Sequence, residues 1–297
     1  MNIKVTIGLC VKNGAKVVKT AFNSISIQDY PHESMKLVIV DNGSTDNTLP
    51  LAMKFAQDTD IKTFVTTSKE GLGAIRQIAV DNAEGDYIVW VDDDLVLAKN
   101  FVRNQVEFME KNLNVGAAKG AGTHFSPPAT IVGIAAYSTL LDVHSQNPKK
   151  IGTGGAIFRL KALKSVGGFD VRIKGAGEDI DVSRRIRESG WVLSINNSAR
   201  LDKKDNPATL KSLWKKNRWY GYARHFRFHK YNDRWELLNY FPPLTFLGGV
   251  KMSCSIYRLT NMKKIFLFPF LHFFSIMADY VGFIHAHLDG YGHANDS

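Results

Sequence analysis

An α/β fold built on a mostly parallel sheet is what this sequence predicts, on three observations. Four runs rich in Val, Ile and Thr alternate with stretches whose apolar residues recur at helical spacing, all within residues 1–110; that rhythm marks βαβ units. Hydrophobic residues make up 44% and charged residues 22% of the 297, a balance that buries a sizeable core. Two of the strand-like runs end in carboxylates, "VDNGSTD" and "VWVDDD", on the carboxyl-end rim where open parallel sheets bind ligands.

In chain order, "KVTIGLCV", "MKLVIVD", "IKTFVTT" and "DYIVWVD" read as strands. The segments "AKVVKTAFNSISIQ", "TDNTLPLAMKFAQD" and "GLGAIRQIAVDNA" between them read as helices. "SKEGLG" places a glycine-rich turn on the ligand rim after the third strand. Residues 115–200 read as irregular and glycine-rich, with short helices at Leu160–Ser165 and Glu178–Glu188, the second ended by Ser189-Gly190. From about Pro207 the chain reads as amphipathic helix, broken at Pro242-Pro243 and at Gly248-Gly249. Two distant cysteines, Cys10 and Cys254, argue against a disulfide framework or a zinc site and fit a reducing cytoplasm. The N-terminal run enters a strand directly, so no signal peptide is expected.

Charge is uneven. The net value is +10, and residues 200–264 alone carry 15 Lys/Arg against four Asp/Glu. Such a region suits phosphates, nucleic acid or an anionic membrane, or is simply a solvated basic face.

Three acidic clusters carry the candidate chemistry. In "DDD", alternation along a strand puts Asp92 and Asp94 on one side and Asp93 on the other. Two converging carboxylates share a proton or hold a hard cation, and with no soft ligand beside them Mg2+ or Mn2+ is the better choice. The alternative is a cap on the helix that follows, which needs one aspartate rather than three. In "VDNGSTDNT" a strand-to-helix turn accounts for Gly43, Ser44 and Thr45, with Ser44 or Thr45 starting a helix. That turn does not require Asp41, which is left to read a ligand. In "GAGEDIDVSRRI", Glu178 and Asp179 either stabilise a helix start or present a general base from a glycine loop.

Taken together, "VTIGLCVKNG", "VIVDNGSTDNT", "AIRQIAVDNAEGDYIVWVDDD", "GTGGAIFRLKALKSVGGFD" and "GEDIDVSRRIRESGW" resemble the inverting, nucleotide-sugar-dependent glycosyltransferases of family 2. The resemblance covers about residues 1–205. It implies a GT-A fold, a Rossmann-like sheet flanked by helices, with a helical, partly hydrophobic C-terminal extension. It divides the chain into a catalytic domain over 1–205 and a basic, aromatic helical region over 206–297. A nucleotide-sugar half takes about 1–115 of the former, and an acceptor half about 116–205. Asp41 matches the aspartate that reads the nucleotide base, commonly uracil, and Arg76 the arginine that faces the nucleotide. Asp92, Asp93 and Asp94 match the DxD signature, with Asp92 near the ribose and Asp94 on the metal that bridges the diphosphate. Asp179 matches the catalytic base, with Glu178 beside it in the donor site. Gly154 and Gly155 match the glycine turn lining the donor-sugar and acceptor site. The implied partners are a nucleotide-diphospho-sugar, UDP-sugars favoured, and a glycan or lipid-linked acceptor. Processive members carry Q-x-x-R-W; here "KKNRW" has Lys215 in place of the glutamine. Arg218 and Trp219 remain as candidate contacts to the diphosphate or acceptor, and a single transfer per binding event is expected.

"KSLWKKNRWYGYARHFRFHKYNDRW" interleaves aromatic and basic residues. The pattern fits stacked bases, a membrane surface or a helix with an aromatic core face. His225 within it reads either as solvated or as a further metal ligand. Residues 265–284 carry one formal charge, Asp279, over 20 residues, the bare length of a span. An interfacial helix is preferred, with packing into the core or a dimer as the alternative. The expected place is the cytoplasmic face of the cell membrane, peripheral or monotopic, without nucleic acid as a partner. The different reading is a non-catalytic nucleotide-sugar or nucleic-acid binding protein.

Overall fold

The computed structural model describes residues 4–122, 148–203, 209–232, 242–260 and 263–292. They fall into two compact units, one holding residues up to 174 and 178–203, the other 175–177 and everything from 209 onward.

The first unit is an eight-stranded mixed sheet covered by helices. Its strands are β1 (Val5–Val11), β2 (Met35–Asp41), β3 (Lys62–Thr67), β4 (Tyr87–Asp92), β5 (Leu95–Leu97), β6 (Val115–Gly122), β7 (Ala156–Arg159) and β8 (Val192–Lys203). They lie in the order β3-β2-β1-β4-β7-β6-β8-β5. The β3-β2-β1-β4 half is parallel, as the βαβ rhythm predicts. β7 then runs antiparallel to both β4 and β6, and β5 antiparallel to β8. Helices α1 (Val18–Ser26), α2 (Thr48–Asp58), α3 (Leu72–Asp81), α4 (Phe101–Lys111), α5 (Leu160–Ser165) and α6 (Glu178–Glu188) complete the unit.

Both sheet faces are buried, and strand alternation sorts the side chains between them. Ile7, Leu9, Leu37, Ile39, Val89 and Val91 pack on one side with α1 and α4. Val38, Val40, Ile88 and Trp90 pack on the other with α3, α5 and α6. Trp90 needs room on its neighbour. Gly8 is its register partner on β1, and a Cβ there would sit 2.6 Å from the indole.

Three sequence expectations are corrected, and the capping alternative for "DDD" is excluded. The stretch read as irregular contains β6, β7 and β8. The glycines of β6 admit bulk from the layers: a Cβ on Gly116 would lie 2.8 Å from Ile186 and Trp191, and one on Gly120 2.6 Å from Phe101. The "DDD" run does not cap the next helix, because β5 intervenes and α4 begins behind Asn100. The helix after β2 begins at Thr48 rather than at Ser44 or Thr45, and Asp46 accepts from the Thr48 amide at 3.0 Å.

The second unit is helical, with α7 (Leu210–Tyr231), α8 (Pro242–Thr260) and α9 (Phe268–Leu288). A capping box of Thr209 and Ser212 starts α7. As the third correction, Gly248-Gly249 does not break α8. A Cβ on Gly249 would lie 3.0 Å from the Pro269 backbone, so the glycine serves close helix packing. Gly221 of α7 lies against the Asp279 backbone, and Gly282 of α9 against the Arg218 backbone. The charge noted in the apolar segment is matched: Asp279 is buried in an ion pair with Arg224. The other side of α9 exposes Phe270, Phe273, Met277 and Ile284.

Candidate functional site

The carboxyl ends of β1, β2 and β4 gather the predicted polar residues of the first unit. Asp41 closes β2 and is buried. Its Oδ2 accepts from the Ser44 amide at 2.8 Å, while the buried Oδ1 has no partner. A buried carboxylate oxygen without a partner is costly unless a ligand supplies a donor. The loop after β1 is laced to this turn, since Ser44 Oγ accepts from the Asn13 amide and Asn13 Oδ1 from the Thr45 amide.

At the tip of β4, Asp92 and Asp93 diverge. Asp92 Oδ1 accepts from Arg76 Nη2 at 3.2 Å, and its other oxygen lies where a Cβ on Gly154 would sit. Asp93 instead lies against Gly14, beyond the end of β1. Asp92 and Asp93 therefore point to different neighbours, as alternation requires. Asp94 follows directly, before β5. Gly155, at φ +72°, donates to the Trp90 carbonyl and accepts from the Gly120 amide, threading the glycine turn between strands.

Arg76 on α3 links the tip of β4 to the start of α6. Its Nε donates to Glu178 Oε1 at 3.0 Å, and its guanidinium lies 4.8 Å from the centre of the Trp90 ring. Arg76 and Glu178 are both buried. Burial works against the Arg76 charge, and Cys10, Glu178, Asp92 and Asp179 outweigh it, so its pKa is raised. The Glu178 carboxyl is pushed up to about 8, by burial first and by the neighbouring Asp179 second, with Arg76 opposing. Burial thus shifts Glu178 toward its neutral form and lessens the charge it brings beside Asp179. Cys10 is pushed up to about 12 by burial and stays a thiol.

Asp179 occupies the first turn of α6, half-buried. A Cβ on Gly152 would lie 3.3 Å from Asp179 Oδ2 and 3.3 Å from Lys119 Nζ. The Asp179 carboxylate and the Lys119 ammonium of β6 thus both border the space that Gly152 leaves. Lys119 and Gly14 were not singled out in the sequence. Lys119 hides in a run read as irregular, and Gly14 only shows its use once Asp93 is placed against it.

The remaining candidates belong to the second unit. Arg218 is exposed on α7, as is Trp219, whose indole nitrogen would lie 3.2 Å from a Cβ on Gly175. The segment from Lys263 to Leu288 is long and apolar enough to cross a membrane, and 44% of its apolar window is buried within the protein.

A parallel half-sheet with carboxylates at its rim, continued by antiparallel strands and a buried arginine bridge, defines a fold of the GT-A type. The chain belongs to glycosyl transferase family 2, whose pattern matches residues 6–163, and the related "Glycosyl transferase family group 2" matches residues 87–284. Among curated relatives, poly(ribitol-phosphate) beta-N-acetylglucosaminyltransferase TarS of Staphylococcus aureus is 27% identical over 146 residues, 47% of this chain and 26% of that protein. Poly-beta-1,6-N-acetyl-D-glucosamine synthase of Staphylococcus epidermidis is 24% identical over 221 residues, 71% of this chain and 52% of that protein. The matched region therefore spans between about a quarter and a half of these relatives. Among solved structures, the mannosyltransferase PcManGT of Pyrobaculum calidifontis, in complex with GDP-Man and Mn2+, superposes with a TM-score of 0.67 at 16% identity, covering 96% of this chain and 88% of that one. TarS 1-349 in complex with UDP-GlcNAc gives 0.54 at 16% identity, covering 97% and 92%.

Proposed function

We propose that this family-2 glycosyltransferase moves one sugar from a nucleotide-diphospho-sugar to an acceptor hydroxyl or phosphate with inversion. The supporting observation is the Arg76 bridge, which holds Asp92 at the strand tip and Glu178 at the start of α6 in one network, with Asp179 next in the chain. In this reading Asp41 takes the base and Asp92, Asp93, Arg76, Gly154 and Gly155 take the donor, with Arg218 and Trp219 serving the diphosphate or acceptor. The likeness to structures holding UDP-GlcNAc or GDP-Man supports a nucleotide-sugar donor, UDP-sugars being favoured here.

The residues fit a hard divalent cation. The side chains at the tip of β4 offer oxygen only, and the nearby Cys10 remains a thiol. Asp94 and Asp92 would hold Mg2+ or Mn2+, which when bound supplies charge neutralisation at the diphosphate. Asp179 accepts the proton as the acceptor oxygen bonds to the anomeric carbon. The bond from that carbon to the diphosphate breaks on the opposite face and its electron pair leaves with the nucleotide. The upward shift of Glu178 lessens the negative charge next to Asp179.

The exposed phenylalanines of α9 beside Lys263 and Lys264 support association with the cytoplasmic face of a membrane and a lipid-linked acceptor. The buried side of α9, with its Arg224–Asp279 pair, favours a second reading in which the acceptor is a soluble or cell-wall glycan.

Asp179→Asn tests the mechanism. Turnover is expected to fall by roughly 10²–10⁴ with donor affinity nearly kept, and near wild-type turnover removes Asp179 from the chemistry. Asp94→Ala, or a chelator, is expected to weaken nucleotide binding, and equal affinity with and without metal counts against the cation.

A further inference from the structure

The second unit carries a cluster of metal-ligating side chains that the transferase chemistry leaves unused. His225 and His229 stand four residues apart on α7, hence on one face, and His287 lies in the last turn of α9. His225 Nε2 is 3.1 Å from His229 Nε2 and 3.3 Å from His287 Nδ1. The three ligand atoms all lie within 4.8 Å of one another.

Those separations have a meaning in coordination geometry. Tetrahedral Zn2+ with Zn–N bonds of about 2.0–2.1 Å holds its nitrogens roughly 3.3–3.4 Å apart. Two pairs of this cluster stand close to that separation. The tautomer is set as well. His225 is buried, and its Nδ1 lies 2.6 Å from the Tyr291 carbonyl oxygen, which only accepts. Nδ1 therefore carries the proton and Nε2 turns its lone pair toward the other two rings. A ring nitrogen donating to a carbonyl is the outer contact that orients metal-bound imidazoles. The histidines also line a cavity of about 320 Å³, together with Phe228, Phe283 and Ile284.

We propose that His225, His229 and His287 bind Zn2+ through three nitrogens, with a water in the fourth position facing this cavity. Neutral imidazoles suit zinc, whereas Mg2+ and Mn2+ seek the oxygen donors gathered at β4. The ion ties the end of α7 to the end of α9 and so fastens the C-terminal helix. The competing arrangement is a hydrogen-bond relay without metal, in which His229 and His287 both donate to the same Nε2.

The full chain in detergent, stripped with chelator, is titrated with Zn2+ beside His229→Gln, His287→Gln and the double variant. Glutamine still donates a hydrogen bond but is a poor zinc ligand. Wild type is expected to bind one equivalent tightly and to melt higher with it, and the double variant to lose both effects while melting like metal-free wild type. Should the double variant fail to fold, His287→Gln alone, at an exposed ligand, is expected to lose the equivalent. Co2+ in place of zinc is expected to give the intense visible bands of a four-coordinate ion, retained in Asp94→Ala and absent in His287→Gln. No bound equivalent in wild type, or equal binding by wild type and His287→Gln, overturns the site and leaves the relay.

Discussion

Replacing Arg76 with alanine removes a side chain that joins β4, α3 and α6. Its loss takes away two charge-assisted hydrogen bonds, of about 1.5–3 kcal/mol each, and a cation–π contact of about 0.5–2 kcal/mol. Breaking a buried ion pair from one side typically costs about 3–5 kcal/mol. Glu178 can retreat to its neutral form, which its surroundings already favour, so the lower end of that range, about 3 kcal/mol, is expected. At about 2–4 °C of Tm per kcal/mol for a domain of this size, the melt falls by roughly 6–12 °C. Arg76→Lys keeps the charge but not the fork that reaches Asp92 and Glu178 together, and is expected to fall between the two. Circular-dichroism melts run beside donor titrations read both quantities. An alanine variant that melts within about 2 °C of wild type, with donor affinity intact, refutes the bridge as the organiser of the site.

Further expectations follow from neighbouring features. Because the folded Glu178 holds its proton to about pH 8 and the unfolded one releases it near the ordinary carboxylate range, unfolding releases a proton between those values. The Glu178 contribution to stability is full in acid and is lost as pH rises through about 8, so Glu178→Gln should flatten the fall of Tm over that range; an unchanged slope dismisses the assignment. Gly154→Ala should push the Asp92 carboxylate off its position while leaving the fold intact, weakening donor binding at least about tenfold, and an unaltered affinity shows that Asp92 has room to move. Phe266, Phe270 and Phe273 changed together to serine should reduce flotation with anionic liposomes while the melt stays cooperative, since all three are exposed. Equal flotation places the membrane contact elsewhere. Truncation at Lys264 is a different perturbation, because it also strips α7 of the helix that covers its Gly221.

The parallel half of the sheet was legible because Val and Ile runs separated by helical periodicity have few other folds available. Helices α5 and α6 were readable too, the second having acidic residues at its start and glycine at its end. The strands of the other half were hidden by glycine. "VGAAKGAG" lacks the β-branched residues that announce a strand, and its small residues answer to Phe101, Trp191 and Ile186 packed above them. Tertiary packing decided what local propensity disfavoured. The carboxylates could be named from strand ends, but not what separates them. That Asp92 turns to Arg76 and Asp93 to Gly14 depends on partners 16 and 79 residues away in the chain. Of the histidine cluster the sequence reading singled out only His225; His229 stands one helical turn further along α7, and His287 joins them only through the α7–α9 contact.

Gly8 and Trp90 occupy one shared volume across two strands, and that sharing constrains inheritance as well as packing. A lineage that acquires a methyl group at position 8 must shrink the ring at position 90 or shift the strands. A smaller residue at 90 also takes away the aromatic surface beneath the Arg76 guanidinium. A glycine in the middle of the sheet, with no group to offer a substrate, is thereby held in place by the chemistry of the rim. Positions 8, 90 and 76 should drift together or not at all among descendants of this sequence.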